Sequence, residues 1–280
     1  MTLSAKANAK INLNLRIIDK RQDGYHELET VMQSVDIADN LTFTATDGEI
    51  LLECDNTALS NDCDIIIKAA KLFFKTTGIS GGVAVKLQKN IPIAAGLGGG
   101  SSDAAATLLV LNKIYGMPLS ASKLKELAVK LGADVPFFLT GGTAFCGGIG
   151  ELIKKLEYIG NCRCLLIKCG IKSSTKDMYD FVDKNLCTDF NGENEKLPIL
   201  SLNSYNSFNK AVDYRDAVDY ALTTAESCGA FASGLSGSGP TVYALFKNES
   251  DISACEKILS KQYQTYICTT CEDAVIILNE

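Results

Sequence analysis

Apolar and polar residues alternate strictly through KINLNLRII at residues 10–18, with Ile11, Leu13, Leu15 and Ile17 set against Lys10, Asn12, Asn14 and Arg16. A period of two sends the two sets to opposite faces. The segment therefore predicts a half-buried strand with one apolar and one polar face. RQDGYHEL, residues 21–28, predicts a turn centred on Asp23 and Gly24. Further strands are predicted over residues 39–46 and 83–87. Asp64 is placed to cap a helix carrying Ile65, Ala69, Leu72 and Phe73. Ser122 is placed to cap a second, with Leu124, Leu127, Ala128 and Leu131 on one side; Gly132 stops it and Pro136 confirms the stop. After Lys155 the succession of strands and helices starts again. Residues 185–206 are polar and turn-rich, the composition of a loop. GLSGSGPTVYALF, residues 234–246, predicts a glycine loop running into a strand.

The pattern breaks most sharply at IPIAAGLGGGSSDAAATLLVLN, residues 91–112. Four glycines fall within residues 96–100, two serines follow, and then an Ala-rich run places Ala104, Leu108, Leu111 and Tyr115 on one helical face. The remaining faces are also largely apolar, so the helix is expected to be buried, with Ser101 or Ser102 as its cap. A helix start leaves main-chain N–H groups unpaired and carries the positive end of the helix dipole. Glycines there let another group approach the backbone closely. The combination suits phosphate groups, whereas a plain tight turn would need only one or two glycines. No Gly-Lys-Ser/Thr follows, which excludes the P-loop. Ser101 stands where the dinucleotide fingerprint needs glycine or alanine, and residues 89–92 separate the glycines from the preceding strand.

Composition narrows this further. The chain has 280 residues, 46% hydrophobic and 21% charged, enough for two α+β layers with a boundary near residue 155. A net charge of -6 speaks against a nucleic-acid or membrane-surface binder, so an anion must be held by local geometry. No signal peptide or membrane-spanning stretch is evident, and a cytoplasmic location is expected. Eleven cysteines include one CxxC, Cys268 and Cys271. With no second CxxC and a single histidine, reduced and mostly buried thiols are expected rather than zinc.

Pro92-x-x-x-Gly96-Leu97-Gly98-Gly99-Gly100-Ser101-Ser102 resembles the phosphate loop of the GHMP kinases (galactokinase, homoserine kinase, mevalonate kinase and relatives). AKINLNL at residues 9–15, DGYHEL at 23–28, LGADVPFFLTGGTAF at 131–145 and SGSGPTVY at 236–243 are similar to further segments of that family. The motifs stand in the family's order through nearly the whole chain. The resemblance is weakest over residues 185–209.

This resemblance implies an α+β, two-domain GHMP kinase architecture with the active site in the cleft between the domains, here residues 1–155 and 156–280. It implies ATP and Mg2+ as cofactors, with no residue designated as a metal ligand. Pro92, Ile93, Ala94, Ala95, Gly96, Leu97, Gly98, Gly99, Gly100, Ser101 and Ser102 would form the ATP loop. Lys10 and Asp134 would be catalytic, Asp134 as the general base in a segment that Pro136 keeps extended. Asp103 would point away from the phosphates.

The particular form GGGSSDAA implies a cytidine diphosphate-linked methylerythritol as the small-molecule acceptor. Tyr25 would then stack on the cytosine, His26 would hydrogen-bond it, Tyr179 would cover its other side, and Asn12 would complete the substrate site. Two alternatives stay open: another GHMP kinase, acting on homoserine, mevalonate or a sugar, and a nucleotide-binding protein without chemistry. Nothing in the sequence specifies an oligomeric state.

Overall fold

The computed structural model describes residues 1–55, 60–171, 175–185 and 199–278. The segment expected as a loop over 185–206 lies outside the described residues from 186 to 198. Two long antiparallel strands, β1 (Thr2–Lys20) and β2 (His26–Thr46), form the spine. The turn between them falls at Asp23 and Gly24, where Gly24 has φ 86° and Gly24 N donates to Arg21 O. The remaining elements are β3 (Ile50–Cys54), α1 (Ser60–Thr77), β4 (Gly82–Gln88), α2 (Gly99–Ile114), α3 (Ala121–Leu131), α4 (Val135–Phe138), β5 (Thr143–Gly147) and β6 (Leu152–Lys155) in the first half. The second half holds β7 (Arg163–Lys168), α5 (Thr175–Asn185), α6 (Arg215–Ser227), β8 (Ala232–Leu235), β9 (Thr241–Phe246), α7 (Glu249–Leu259), β10 (Gln264–Thr269) and β11 (Val275–Leu278).

Among the described residues, two sheets form. The larger runs β11-β1-β2-β4-β3, with β5 paired to β2 and to β6; the smaller runs β10-β7-β9-β8. Helices α1 and α2 pack on the larger sheet, burying Phe43, Val85, Phe73 and Leu108 in one core. Helices α6 and α7 cover the smaller sheet, burying Ile167, Val242, Leu222 and Ile252 in a second. A third core fills the space between the sheets, with Ile11 and Leu13 of β1 against Leu166, Tyr243 and Leu245. The last strand, β11, returns to pair with β1.

That third core changes the reading of β1. Its apolar side faces the smaller sheet as the alternation requires, but its polar side is buried as well: Lys10, Asn12, Asn14 and Arg16 are all under 9% exposed. The strand is buried on both faces. Lys10, Asn12 and Arg16 are matched by side-chain partners, Asn12, Thr30 and Glu29 in turn, and two of them, Lys10 and Asn12, face a cavity.

Three helix starts differ from expectation. Asp64 lies inside α1, which begins at Ser60. Helix α2 starts after Gly98, whose left-handed backbone (φ 71°, ψ 18°) turns the chain before either serine is reached. Ser102 instead donates its hydroxyl to Asn8 O at 2.7 Å. The cap of α3 is Ser120, extended and accepting from Lys123 N; Ser122 sits in the first turn and bonds Ser120's hydroxyl. Pro136 does not keep its segment extended. It occupies the first turn of α4, where a missing N–H is harmless, and Asp134, with helical backbone, is the N-cap residue just before Val135.

Candidate active site

A cavity of about 600 Å³ opens where the two halves meet. Lys10, Asn12 and Thr30 form its floor, residues 91–101 one wall, Asp134 and Gly150 a second, and Tyr179, Phe208, Gly237 and Ser238 the far side. All of the expected phosphate-loop residues from Pro92 to Ser101 line it; Ser102 is buried beneath.

The loop is shaped for close approach to its main chain. Ala94, Gly96 and Gly98 all have left-handed φ, at 51°, 78° and 71°. A Cβ at Gly96 would lie 2.3 Å from Ser236 O, so only glycine lets the phosphate loop rest on the glycine loop before β9. The start of α2 has no side-chain cap and no acid in its first turn. The first intrahelical main-chain bond there is Ser102 N to Gly98 O, which leaves the N–H groups of residues 99–101 for an external anion. ATP phosphates fit this arrangement on charge and on space.

Across the cavity floor, Lys10 Nζ donates to Asn12 Oδ1 at 2.6 Å and to Gly96 O at 3.1 Å, and lies 3.5 Å from Asp134 Oδ2. The strand register dictates this. Lys10 and Asn12 are two apart, hence on one face. Asn12 Nδ2 donates to Thr30 Oγ1 at 2.8 Å, and Thr30 donates to Asn14 O at 2.5 Å. Thr30 thereby orients the Asn12 amide so that its oxygen meets the ammonium. Ser236 Oγ ties the glycine loop before β9 in, donating to Gly96 O at 3.0 Å and accepting from Asn12 N at 3.3 Å. Lys10 and Asp134, 124 positions apart in the chain, are brought together as a charged pair beside the phosphate loop.

Asp103 does point away from the loop. It is buried and shares Lys89 Nζ with Asp39, at 2.8 Å from its own Oδ2. Burial disfavours the Lys89 charge, but the Asp103 and Asp39 carboxylates outweigh that and hold the ammonium above its ordinary range. Burial is also the main reason the Asp103 carboxyl is pushed up to about 7, with Lys89 opposing and Asp39 adding to the rise.

The aromatic residues divide. Tyr179 lines the cavity, its phenol pushed up to about 12 by burial. His26 stacks on Tyr179 at 4.4 Å and 20°, with Nε2 2.6 Å from Asp183 Oδ1. The Asp183 carboxyl is held low by its hydrogen bond from Lys20, with His26 adding to the effect. Tyr25 stands apart, 60% exposed and outside the cavity wall. The structure does not bring Tyr25 to the face of Tyr179; His26 occupies that place.

Sequence reasoning missed Thr30, Lys89, Phe208 and the loop at Gly237 and Ser238 as cavity-lining residues, and Asp39 as the buried partner of Lys89. The loop had a signal, since SGSGP was recognisable as a glycine loop. Thr30, Asp39 and Lys89 had none, because their partners come from other strands and from α2. Among the described residues no group of three or more His, Cys, Asp or Glu could hold a metal ion, the described cysteines are free thiols, and no helix is long and apolar enough to cross a membrane.

Comparison with known proteins places the chain in a family. The GHMP kinases N terminal domain matches residues 64–142, and the GHMP kinases C terminal domain matches residues 197–265. The chain is 36% identical over 277 residues to a 4-diphosphocytidyl-2-C-methyl-D-erythritol kinase of Clostridium beijerinckii, covering 95% of this chain and 99% of the relative. A protein of the same description from Prochlorococcus marinus is 35% identical over 306 residues, covering 99% and 97%. The crystal structure of a 4-(cytidine 5'-diphospho)-2C-methyl-D-erythritol kinase superposes with a TM-score of 0.80 at 29% identity, covering 95% of this chain and 98% of that one.

Proposed function

The chain belongs to the 4-diphosphocytidyl-2-C-methyl-D-erythritol kinases of the GHMP kinase family, and from that premise we propose that it phosphorylates the 2-hydroxyl of 4-diphosphocytidyl-2-C-methyl-D-erythritol with ATP, releasing ADP, in non-mevalonate isoprenoid precursor synthesis. The observation that carries this is the Lys10–Asp134 pair, 3.5 Å apart, beside an uncapped helix start that residues 92–101 open to the cavity.

The roles follow from charge and position. Main-chain N–H groups of residues 99–101 hold the phosphates. Lys10, anchored by Asn12 and Gly96 O, offers its ammonium to the migrating phosphoryl oxygens and to the acceptor hydroxyl. Asp134 takes the hydroxyl proton as the acceptor oxygen bonds to the γ-phosphorus and the bond to the β-phosphate oxygen breaks. Mg2+ bound with the nucleotide would supply charge neutralisation on its phosphates; no residue of this chain is assigned to hold it, in keeping with an ion that commonly retains water and phosphate ligands. The acceptor's cytidine is taken up on the Tyr179 and His26 side of the cavity, and Tyr25 is given no role in it. The division at residues 1–155 and 156–280 belongs to the same proposal, with β11 in the second domain by sequence and in the first sheet by pairing.

The test is ADP formation with the cytidine-linked acceptor against free methylerythritol, homoserine and mevalonate. Turnover confined to the cytidine-linked alcohol supports the reading, and equal turnover of a small free alcohol rejects it. Asp134→Asn should keep ATP affinity while kcat falls by about 10²–10⁴, the range for a lost general base; unchanged kcat removes Asp134 from the mechanism.

A further inference from the structure

Asp39 is completely buried in β2, opposite Ala7 of β1, and makes no contact with the cavity. Its Oδ1 accepts the main-chain N–H of Asn90 at 2.7 Å and of Ile91 at 2.9 Å, the two residues that lead into the phosphate loop. Its Oδ2 takes the ammonium of Lys89. That ammonium makes a second bond, at 2.8 Å, to Asp103 in α2, just beyond the far end of the loop. One carboxylate therefore grips the near end of the loop directly and the far end through one lysine. The cluster also sits directly beneath the α2 start. A Cβ placed on Gly99 would lie 3.3 Å from Lys89 Nζ and 3.4 Å from Asp39 Oδ2.

What lies between the two anchored ends is not a relaxed turn. Ala94 has φ 51°, a left-handed conformation that a residue with a Cβ adopts only when its surroundings enforce it. Lys89 lines the cavity, and a lysine there invites assignment as a phosphate ligand. Its ammonium is, however, engaged by two carboxylates, and its side chain is only 5% exposed.

We propose that Asp39 is a positioning residue for the nucleotide. Through Lys89 and Asp103 it sets the distance between the two ends of the phosphate loop, and so holds the loop amides in their phosphate-binding arrangement before ATP arrives. Lys89 is the tie between the two carboxylates and does not itself bind phosphate. This rests on the nucleotide reading of the cavity given above.

A loop disordered before binding must be ordered by the nucleotide, and that cost falls equally on the ground state and the transition state. It raises KM without lowering kcat. The experiment uses the full chain, with ATP affinity measured by calorimetry and both kinetic constants measured at saturating acceptor, in the parent, Asp39→Asn and Asp103→Asn. Loss of one charge-assisted link should weaken ATP by about tenfold in Asp39→Asn, and somewhat less in Asp103→Asn, with kcat within about threefold and KM for the acceptor unchanged. A role in folding alone would lower the active fraction, and apparent kcat with it, and would leave KM for ATP where it was.

Asp103→Asn decides alone if Asp39→Asn does not fold, since the asparagine keeps the shape and Lys89 keeps Asp39. Unchanged ATP affinity in the folded variants overturns the proposal. So does tighter ATP binding in Asp103→Asn, which would mean that the freed lysine reaches the phosphates. A parent that binds no ATP overturns this inference and the nucleotide reading together. A parent that binds and turns over ATP, with variants that match it, overturns this inference only.

Discussion

Replacing Thr30 by valine tests the relay that aims Lys10. The two side chains have nearly the same shape and both suit a strand, so the backbone of β2 should be undisturbed. The hydroxyl is lost, and with it the acceptor of Asn12 Nδ2 at 2.8 Å. Thr30 is 0% exposed and Asn12 1%, so water does not replace it without reorganisation. A buried donor left without a partner costs about 1–3 kcal/mol. At about 2–4 °C per kcal/mol for a chain of this size, the melting midpoint should fall by roughly 2–12 °C. The functional effect is separate. Without Thr30 the Asn12 amide has no reason to keep its oxygen on Lys10 Nζ, and turned end for end it would offer a donor to an ammonium. Losing one hydrogen bond to a charged group removes about 1.5–3 kcal/mol. Carried into the transition state, that lowers kcat by roughly 10–100-fold. The assay is ADP release at saturating ATP and acceptor beside a thermal melt, with Thr30→Ser as the control that restores the hydroxyl and should restore kcat. A lowered melting point with kcat within twofold of the parent would show that Thr30 holds the fold and does not aim Lys10. If both values matched the parent, the relay itself would be refuted.

Two other substitutions separate stability from chemistry. Gly96→Ala forces a Cβ to within 2.3 Å of Ser236 O in a left-handed conformation, so urea unfolding should show a loss of about 2–4 kcal/mol and ATP titration a weaker complex. Ser120→Ala removes the α3 cap, which accepts from Lys123 N. It should cost about 1 kcal/mol as a shift in urea midpoint at constant slope, with kcat unchanged.

The open helix start at residues 96–102 was readable in the sequence because its cause is local. Glycines grant left-handed backbone, and a helix that begins there leaves its own amides unpaired. Local too were the alternation of residues 10–18, the turn at Gly24 and the glycine loop before β9. The partners of those features were not local. A period of two puts Lys10 and Asn12 on one face, but cannot say that this face is enclosed; Thr30, Gly96, Asp134 and the glycine loop at Ser236 and Gly237 enclose it, from about 20 to more than 220 positions away. Local preference also misplaced three helix starts. Each serine or aspartate there is a competent cap, and the choice among neighbours was made by a left-handed Gly98, by an extended Ser120 and by a helix that starts ahead of Asp64. Family resemblance supplied Lys10 and Asp134 as names. Their separation of 3.5 Å depends on β1 and α4, which Asp134 caps, being packed against the same helix, α2. Charged groups meet across a chain when hydrophobic burial elsewhere leaves them one common space. That space is a property of the packed layers, and no single segment carries it.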